Sequence, residues 1–408
     1  MKKIIALLMA LVLVLGLAAC GGNAAEADTF KVGAIYINSK NDTAGYTFAH
    51  HNGITTAMKE LGLDVEKQLV IVDEVPEDKQ KVLDAVDTLV GEGADIVFGI
   101  SFGYIDALEE ASAAYPDVIF SHGTGYKSNE TNFNNYFGRI YQARYLAGIA
   151  AGLKALEMGN DKIGYVAAHT TDYAETASGI NGFALGVQAV NPNAVVYVKN
   201  LNNWADEVNE KAYAEELISS FGCGVVSQHC DSAQPQIAAE NAGVFGCGYN
   251  SDMTPDAPKA HLTAAIWNWN VYYGTAIKAA MECEKAADFV TKMGGNAYYG
   301  GLKEGFVDVS PLSENCAPKT AEIIDTVKAM MVSGEWDVFS GVKLQIDAAT
   351  GTVTKVDAAL ESNGFMYVDG NFNVPMENPV VVEAGGASVD DGVIKGSMNY
   401  LVKGVEEA

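Results

Sequence analysis

Apolar runs alternate with amphipathic stretches along most of the chain, and this alternation predicts strands that are each followed by a helix. The clearest instance runs from Gly93 to Ala111. Its Ala94 to Ile100 portion is a short apolar run rich in β-branched residues, and Asp106 to Ala113 is helix-forming. The polar turn Ser101-Phe102-Gly103-Tyr104 therefore lies at the carboxyl end of a predicted strand. Ligands of open α/β sheets bind outside those ends, near free helix-start N–H groups.

The same pattern occurs a second time, from Gly222 to Asn241, as an apolar strand, a polar turn and an amphipathic helix. The flanking segments also correspond, because Lys31 to Ile35 resembles Lys162 to Val166. A long internal repeat of α/β units predicts two similar lobes. The alternative is that α/β units look alike by chance.

Each predicted lobe is a sheet covered by helices. In the first, strands at Val32–Ile37, Gln68–Val72 and Val118–Ser121 alternate with helices at about His51–Leu61 and Lys79–Gly91. Short connections in such an alternation are typical of a parallel sheet with helices on both faces. The predicted fold class is therefore α/β, with two doubly wound parallel-sheet lobes joined by a multi-strand hinge.

Several segments predict where the chain crosses between lobes. Asn135 to Ile140 is predicted as an edge strand, and the Ala-rich helix from Tyr141 to Leu156 marks the first crossing. The glycines from Gly294 to Gly301 mark the last crossing, and Asp347 to Gly351 predicts a hairpin. The expected domains are 30–145 with about 265–305 as the first lobe, and 146–264 with about 306–408, including a C-terminal extension, as the second.

The amino terminus has the pattern of an export signal. Lys2-Lys3 precedes an apolar run from Ile4 to Leu17, which is short for a transmembrane helix. The sequence Leu17-Ala18-Ala19-Cys20-Gly21 resembles a bacterial lipobox, which implies a diacylglycerol on Cys20. Residues 1–19 are thus predicted as a lipoprotein signal peptide and 20–29 as a lipidated cysteine with a flexible tether. The alternative is an ordinary cleaved signal with an incidental cysteine. We expect a lipid-anchored protein on the outer face of the cytoplasmic membrane.

Composition narrows the classes of partner. The 408 residues are too many for one core, and the net charge of −26 argues against nucleic acid. The cysteines besides Cys20 are odd in number and form no paired CxxC, so neither a disulfide framework nor a zinc site is predicted. We expect buried thiols at Cys223, Cys230 and Cys247, whereas a bridge between Cys283 and Cys316 stays open.

Several longer segments carry a specific resemblance, namely SFGYIDALEEASAAYPDVIFSHGTGYK, NYFGRIYQARYLAGIAAG, QHCDSAQPQIAAE and HLTAAIWNWNVYY. Together they resemble the family called basic membrane proteins. The resemblance covers roughly Val32 to Lys303 and implies the type I periplasmic-binding-protein fold and a lipoprotein receptor of an ABC importer for purine bases or nucleosides. The subgroup that binds free purines such as adenine is the most similar.

Two loops depart from the family pattern. The loop Asn41-Asp42-Thr43-Ala44-Gly45-Tyr46 has one residue more than usual, and Trp204-Ala205-Asp206-Glu207 replaces a Trp-Tyr-Asp-Pro sequence. Both loops fall where the family binds its ligand. The exact ligand is therefore left open between a base and a nucleoside.

A purine needs aromatic faces for stacking and polar groups in the plane of its ring. Phe102, Tyr46 and Trp204 are the predicted stacking residues, because they lie in or beside turns at strand carboxyl ends. For each, the alternative is an aromatic residue that packs a loop or hinge. Ser101 and Gly103 add a hydroxyl and a closely approaching backbone to the same turn.

Carboxylates could accept hydrogen bonds from an exocyclic amine or hold ribose hydroxyls. Asp42, Asp231 and Asp252 occupy corresponding loops, and Glu175 lies in the second lobe's equivalent of the Asp42 loop. Asp106 begins a helix, so it has the alternative role of a helix cap worth about 1 kcal/mol, and Asp231 has the same alternative. His122, at the end of the next strand, is more often a satisfied surface group than a ligand contact. Asn268, between two tryptophans, could reach the cleft.

The main functional prediction is a monomeric receptor that closes on a purine and docks on an ABC permease with its ATPase. No cofactor, metal or covalent chemistry is expected. A ligand sensor for a chemoreceptor or kinase would use the same cleft. A third possibility is an extracellular nucleoside hydrolase, but the sequence contains no dense Asp motif and no HExxH.

Overall fold

The computed structural model of the chain describes residues 29–43 and 45–408. The predicted signal peptide, Cys20 and nearly all of the tether lie outside the described residues. Within the part described, every helix is too short or too polar to cross a bilayer.

The strands and helices follow one another as the alternation predicts. The strands are β1 (Val32–Tyr36), β2 (Leu69–Val72), β3 (Ile96–Ile100), β4 (Ile119–Gly123), β5 (Phe133–Gly138), β6 (Lys162–Ala167), β7 (Val195–Asn200), β8 (Val225–His229), β9 (Phe245–Asn250), β10 (His261–Trp267), β11 (Ala297–Gly300), β12 (Val307–Val309), β13 (Val342–Asp347), β14 (Thr352–Asp357), β15 (Leu360–Val368), β16 (Asn371–Pro375), β17 (Val380–Val382), β18 (Tyr400–Val402) and β19 (Val405–Glu407). The helices are α1 (Gly45–Glu60), α2 (Val65–Gln68), α3 (Lys79–Gly91), α4 (Ile105–Ala114), α5 (Ile140–Met158), α6 (Ala174–Val190), α7 (Glu207–Ser219), α8 (Gln234–Ala242), α9 (Trp269–Met281), α10 (Phe289–Met293), α11 (Thr320–Ser333) and α12 (Asp391–Gly396).

The first sheet has the strand order β11-β5-β4-β3-β1-β2, and its neighbouring strands are all parallel. Every residue of the central strands β1 and β3 is buried. The prediction of an edge strand at Asn135–Ile140 is wrong in one respect, because β5 lies inside the sheet. β11, which comes much later in the chain, pairs with β5 and forms the edge of the sheet instead. Pairing between such distant segments produces no local pattern in the sequence.

The second sheet has the order β12-β10-β9-β8-β6-β7-β19. All its strand pairs are parallel except β10 with β12. The corresponding strands of the repeat, β3 and β8, are third or fourth from the edge in their sheets and are each followed by a polar turn and a helix. The predicted α/β class with two parallel-sheet lobes is confirmed.

The chain passes between the sheets at three places in the described part. The first crossing leads from β5 into α5, the second from β10 into α9, and the third from β11 to β12. The predicted crossing helix at Tyr141–Leu156 is therefore confirmed. Because the strands on either side of each crossing belong to different sheets, these segments form the hinge.

Two helices of the second lobe touch backbone to backbone. A Cβ on Gly148 of α5 would lie 2.1 Å from the carbonyl oxygen of Phe183 in α6, and one on Gly186 of α6 would lie 2.0 Å from the carbonyl oxygen of Tyr145. Glycine is required at both positions by this close approach. The helix that begins the second lobe is thus fixed directly against the helix that follows β6.

The tail, defined here as residues 336–408, forms short strands around the second lobe. The predicted hairpin is confirmed as β13 and β14, with Gly351 at φ +77° in the turn. β15 pairs with β16, β17 and β18, and β19 pairs with β7. Asn181 of α6 donates to the carbonyl of Tyr400 at 2.9 Å and accepts from the amide of Val402 at 2.8 Å. The tail is therefore built into the second lobe.

The five cysteines in the described part of the chain are buried or half-buried free thiols. Cys223, Cys230 and Cys247 are buried, as predicted, and burial raises their pKa values. Cys283 and Cys316 are also free. Cys316 donates to the carbonyl of Leu262 at 3.3 Å, whereas Cys283 follows α9 of the first lobe.

Replacing Gly148 with alanine should destabilise the fold by about 1–3 kcal/mol, because the new methyl group overpacks the contact between α5 and α6. Gly91→Ala in the last turn of α3 is the matched control, since no atom lies within 4 Å of its added Cβ. Urea unfolding of both variants measures the difference. Equal free energies of unfolding for the two variants would contradict the close helix contact.

Candidate functional site

The carboxyl ends of strands from both sheets face each other, and their loops are in contact. Phe102, after β3, lies with its ring centroid 6.5 Å from that of Tyr173, which precedes α6. Elsewhere along the same interface, a Cβ on Gly45 would lie 2.5 Å from the backbone oxygen of Asp231. We call the side chains at this interface, among them Phe102, Tyr173 and Asp231, the interlobe cluster. The lobes are closed around it.

The turn after β3 is held by a carboxylate from the neighbouring connection. Ser101 Oγ donates to Glu77 Oε1 at 2.5 Å, and the Gly103 amide donates to the same oxygen at 2.7 Å. A Cβ on Gly103 would lie 2.5 Å from the carboxyl carbon of Glu77, so this position requires glycine. The turn projects Phe102 outward, 46 % exposed. Glu77 was not singled out from the sequence, because it has the pattern of an ordinary surface acid before α3.

His122 supports this turn from behind. It is fully buried in β4, and its Nε2 donates to the carbonyl oxygen of Ser101 at 2.7 Å. Burial lowers its pKa to about 4, so the imidazole is neutral. Tyr46, in the first turn of α1, packs edge-on against His50 with a centroid distance of 4.3 Å and lies beside Gly123 at the end of β4.

Aromatic rings of the second lobe gather around Trp204, in the loop after β7. Its ring centroid lies 5.1 Å from His169, 5.9 Å from Tyr173 and 5.9 Å from His229. Trp204 is 37 % exposed and Tyr173 is 38 % exposed, so both retain accessible surface. His169 and Tyr173 were not predicted, since the loop between β6 and α6 has no motif beyond its polar composition.

A buried charge network lies beneath this wall. Glu175, in the first turn of α6, accepts from His229 Nε2 at 2.9 Å. Arg144 of α5 is fully buried, donates to the Tyr165 hydroxyl at 2.6 Å and to the Gln228 carbonyl at 3.0 Å, and places its guanidinium 4.0 Å over the ring of Tyr249. These residues join the cleft to the core of the second lobe.

The network fixes the protonation of its members. Burial alone would raise the pKa of Glu175, but His229 and Arg144 bring it below the usual value. Burial, with the charge of Arg144, lowers the pKa of His229 to about 4. At neutral pH the site therefore presents an ionised Glu175 beside a neutral His229 whose Nδ1 has no partner.

Asp231 follows β8 at the point where the lobes meet. Its carboxylate accepts from Asn250 Nδ2 at 3.0 Å, and its amide donates to the carbonyl of Trp204 at 3.2 Å. Burial and the nearby Glu210 raise the pKa of Asp231 to about 7. Near neutral pH this group can either donate or accept a hydrogen bond.

The remaining predicted residues are placed differently. Asp106 is exposed and pairs with Lys127 at 2.8 Å. Asp252 accepts a hydrogen bond from the Thr254 amide at 2.9 Å and lies 3.5 Å from His261. His261 pairs with the first half of β9, away from the carboxyl end of that strand. The loop after β9 has therefore turned back from the cleft. Asn268 donates to the carbonyl of Gly305 at 2.9 Å within the hinge.

The structure thus brings most of the predicted residues to the interlobe cluster. Asp42 is half-buried in the loop after β1, and burial raises its pKa. The predicted residues in or beside the cluster are Asp42, Tyr46, Ser101, Phe102, Gly103, His122, Glu175, Trp204 and Asp231. Those outside it are Asp106, Asp252 and Asn268.

The composition of the cluster limits its chemistry. Aromatic rings come from both lobes, and the ionisable groups at the surface of the cleft are mainly carboxyl groups, with Arg144 held below them. A phosphorylated ligand would meet like charges, whereas a neutral planar molecule would meet ring faces and hydrogen-bonding groups. Within residues 29–43 and 45–408, no cluster of three or more His, Cys, Asp or Glu residues could hold a metal.

Two parallel-sheet lobes that close on a cleft, with a hinge of several crossings, define the class of bilobal solute-binding proteins. A solved ABC transporter solute-binding protein from Conexibacter woesei has the same fold, with a TM-score of 0.60 at 18 % identity over 76 % of this chain and 98 % of that chain. The chain matches the family Bmp, ABC transporter substrate-binding protein PnrA-like, over residues 30–335 and belongs to that family.

Named relatives of the chain differ in their ligands. A purine-binding protein of Brucella abortus is 32 % identical over 79 % of this chain and 86 % of its own length. A protein of Haloferax volcanii, provisionally named an ABC transporter glucose-binding protein, is 32 % identical over 79 % of this chain and 77 % of its own length. The family is therefore established, and the ligand has to be argued from the cleft.

Gly45→Ala should hold the lobes apart, because its Cβ would collide with the backbone of Asp231 only when the cleft is closed. Gly62→Ala is the matched control, since Gly62 has a similar φ of +76° against +83° but no neighbour within 4 Å. Small-angle X-ray scattering should give a larger radius of gyration for the Gly45 variant alone. Identical scattering from the two variants would mean that this contact does not limit closure.

Asp231→Asn should stabilise the protein increasingly as the pH rises. The folded protein holds the Asp231 proton up to about pH 7, whereas the unfolded chain releases it near pH 4, so the wild type loses stability across that interval. The variant's advantage should grow by at least about 1 kcal/mol between pH 4.5 and pH 8, since one pKa unit corresponds to about 1.4 kcal/mol. Urea unfolding at both pH values measures it, and the buried histidines cancel in the comparison. A pH-independent difference would contradict the raised pKa.

Proposed function

We propose that this protein is an extracytoplasmic, lipid-anchored receptor that captures a purine base or nucleoside between its lobes and delivers it to an ABC permease. The observation that carries the proposal is the pairing of rings from opposite lobes, Phe102 from one and Tyr173 and Trp204 from the other. A flat heterocycle is the kind of ligand that rings on two closing walls hold best. Stacking of a base on an aromatic ring contributes about 1–3 kcal/mol.

The polar groups of the cluster suit the rim of a purine. Glu175 is ionised and can accept from an exocyclic amine or a ring N–H. Asp231 can donate to a ring nitrogen when protonated and accept when ionised. A ligand with both donors and acceptors in one plane, such as adenine, uses both states. The purine-binding relative from Brucella abortus supports this choice.

A sugar is the second candidate ligand. The relative from Haloferax volcanii carries a glucose-binding name, and aromatic faces with carboxylates also bind sugar rings. The rings on both walls favour a purine, because a base stacked on the Phe102 ring would present its edge to Tyr173, whose ring lies at 85° to that of Phe102.

Closure supplies the signal to the permease. A ligand that contacts both lobes stabilises the closed form by its difference in affinity for the two states, so binding and closure are one equilibrium. The hinge segments allow the lobes to separate while each sheet stays intact.

The lipid anchor is proposed from Cys20 and the residues before it. Cys20→Ala should release the mature protein from the membrane fraction of a producing bacterium, and Cys283→Ala should leave it attached. Cell fractionation with immunoblotting measures this, and a Cys20 variant that stays in the membrane fraction would refute the anchor.

Isothermal titration against adenine, guanine, hypoxanthine, their nucleosides and glucose tests the ligand. We expect saturable binding of at least one purine and none of glucose. Phe102→Ala and Trp204→Ala should each weaken purine binding by about tenfold, which corresponds to about 1.4 kcal/mol of lost stacking. Phe365→Ala on the tail is the control, because Phe365 is 44 % exposed against 46 % for Phe102. Binding of glucose alone would transfer the assignment to sugars.

A further inference from the structure

Arg139 occupies the first hinge crossing, between the end of β5 and the start of α5. Its Nε donates to Asp391 Oδ1 at 3.1 Å and its Nη2 donates to Asp391 Oδ2, so the pair is bidentate. The third guanidinium nitrogen, Nη1, donates to the carbonyl of Tyr299 at 2.5 Å. The guanidinium therefore has a partner on each of its sides.

The partners of Arg139 belong to different lobes. Tyr299 lies in β11, the edge strand of the first sheet, where it is in register with Phe137. The Arg139 amide donates to the carbonyl of Gly300 at 2.7 Å, and its guanidinium lies 4.8 Å over the ring of Tyr299. Arg139 is thus fixed to the first lobe by backbone and ring contacts.

Asp391 belongs to the second lobe. It begins α12, and this tail helix packs against α6. The tail beside it is tied to Asn181 of α6 through Tyr400 and Val402. Lys395, one turn further along α12, lies 5.0 Å from the ring of Tyr299 and adds a second contact to the first lobe.

We propose that the Arg139–Asp391 ion pair is a latch that holds the lobes closed and thereby sets ligand affinity. The carboxylate moves with the tail and the second lobe, while the guanidinium stays with the edge of the first sheet. Opening of the cleft about the hinge separates them. The family match ends at residue 335, so the tail supplies one half of the latch from outside the matched region.

Because of its geometry, this pair should stabilise the closed form more than an ordinary surface ion pair would. The side chains are 27 % and 39 % exposed, and the bidentate arrangement fixes both charged groups in one orientation. Exposed single-contact pairs contribute little on average, because flexible side chains must be ordered in water. Arg139 is already ordered by Tyr299, so closure does not have to order it again.

Asp391→Asn tests the latch without any ligand, by small-angle X-ray scattering of the full mature chain. We expect a larger radius of gyration than the wild type, because the closed form loses its charge pairing. Glu361→Gln is the matched control. Glu361 is also 39 % exposed, also lies in the tail, and pairs with Lys403 at 2.8 Å within the same lobe. Thermal unfolding of both variants checks that the tail remains folded.

An unchanged radius of gyration in Asp391→Asn, or an equal increase in Glu361→Gln, would overturn the latch. Arg139→Lys keeps the charge but loses the bidentate contact, and it should give an intermediate increase. If the Asn variant unfolds, the Lys variant alone decides.

Titration with adenine provides the second readout. Loss of the latch should weaken adenine binding by about threefold to tenfold, mainly through faster dissociation of the ligand. This arm rests on the proposed purine function, whereas the scattering arm needs only two lobes and a hinge. If the wild type does not bind adenine, the proposal of a purine ligand is rejected. The latch is then tested by the scattering measurement alone. Unchanged dissociation rates in a wild type that does bind adenine would count against it.

Discussion

The parallel arrangement of strands is the constraint from which the site follows. Parallel strands end at one edge of their sheet, so the loops after β3 and β4 emerge close together in the first sheet, and those after β7 and β8 in the second. No additional contacts are needed to bring these loops together. Two such sheets facing each other place both sets of loops around one space. The hinge then changes only the distance between the two edges. Side chains can be selected for the ligand because the sheets already supply their positions.

The aromatic walls depend on polar groups that fix the backbone and the charges around them. Glu77 fixes the turn that carries Phe102, and His122 holds the carbonyl of Ser101 from the core side. In the other lobe, Arg144 lies below Tyr249, and His229 and Arg144 together hold the pKa of the buried Glu175 below its usual value. A buried arginine is costly unless it is paired and hydrogen-bonded. Arg144 is hydrogen-bonded to the Tyr165 hydroxyl and the Gln228 carbonyl and lies over the ring of Tyr249, so a positive charge is held directly below the cleft.

The sequence indicated the parts of the site that follow from local pattern. The turn at Phe102 and its repeat near Asp231 were predictable, because each combines an apolar strand, a polar turn and a helix within a short segment. Tyr173 and Arg144 carry no such signal. The first belongs to a loop without a motif, and the second lies in an Ala-rich helix where one basic residue suggests a surface position. Their roles come from packing between distant segments, which periodicity does not encode.

The acidic residues that were predicted from their loop positions show the same limit of prediction from sequence. Asp231 and Asp252 follow consecutive strands of one sheet, and their loop positions are equivalent in the sequence. Only Asp231 reaches the cleft, because the loop after β9 folds back and places Asp252 beside His261. Strand ends fix where a loop starts, but the direction in which it continues depends on its own contacts.

Closure of the cleft depends on a balance between the cost of burying Asp231 and the contacts that form when the lobes meet. In the closed form Asp231 is buried beside Glu210 and Glu175 of its own lobe, and this burial, with the charge of Glu210, raises its pKa to about 7. A ligand that donates hydrogen bonds to these carboxyl groups reduces the cost, so it favours the closed form more than the open one. The ion pair at Arg139 lies beside the hinge and favours closure whether or not a ligand is present. The affinity of the cleft therefore depends on two separate sets of contacts, those that hold the ligand and the ion pair beside the hinge.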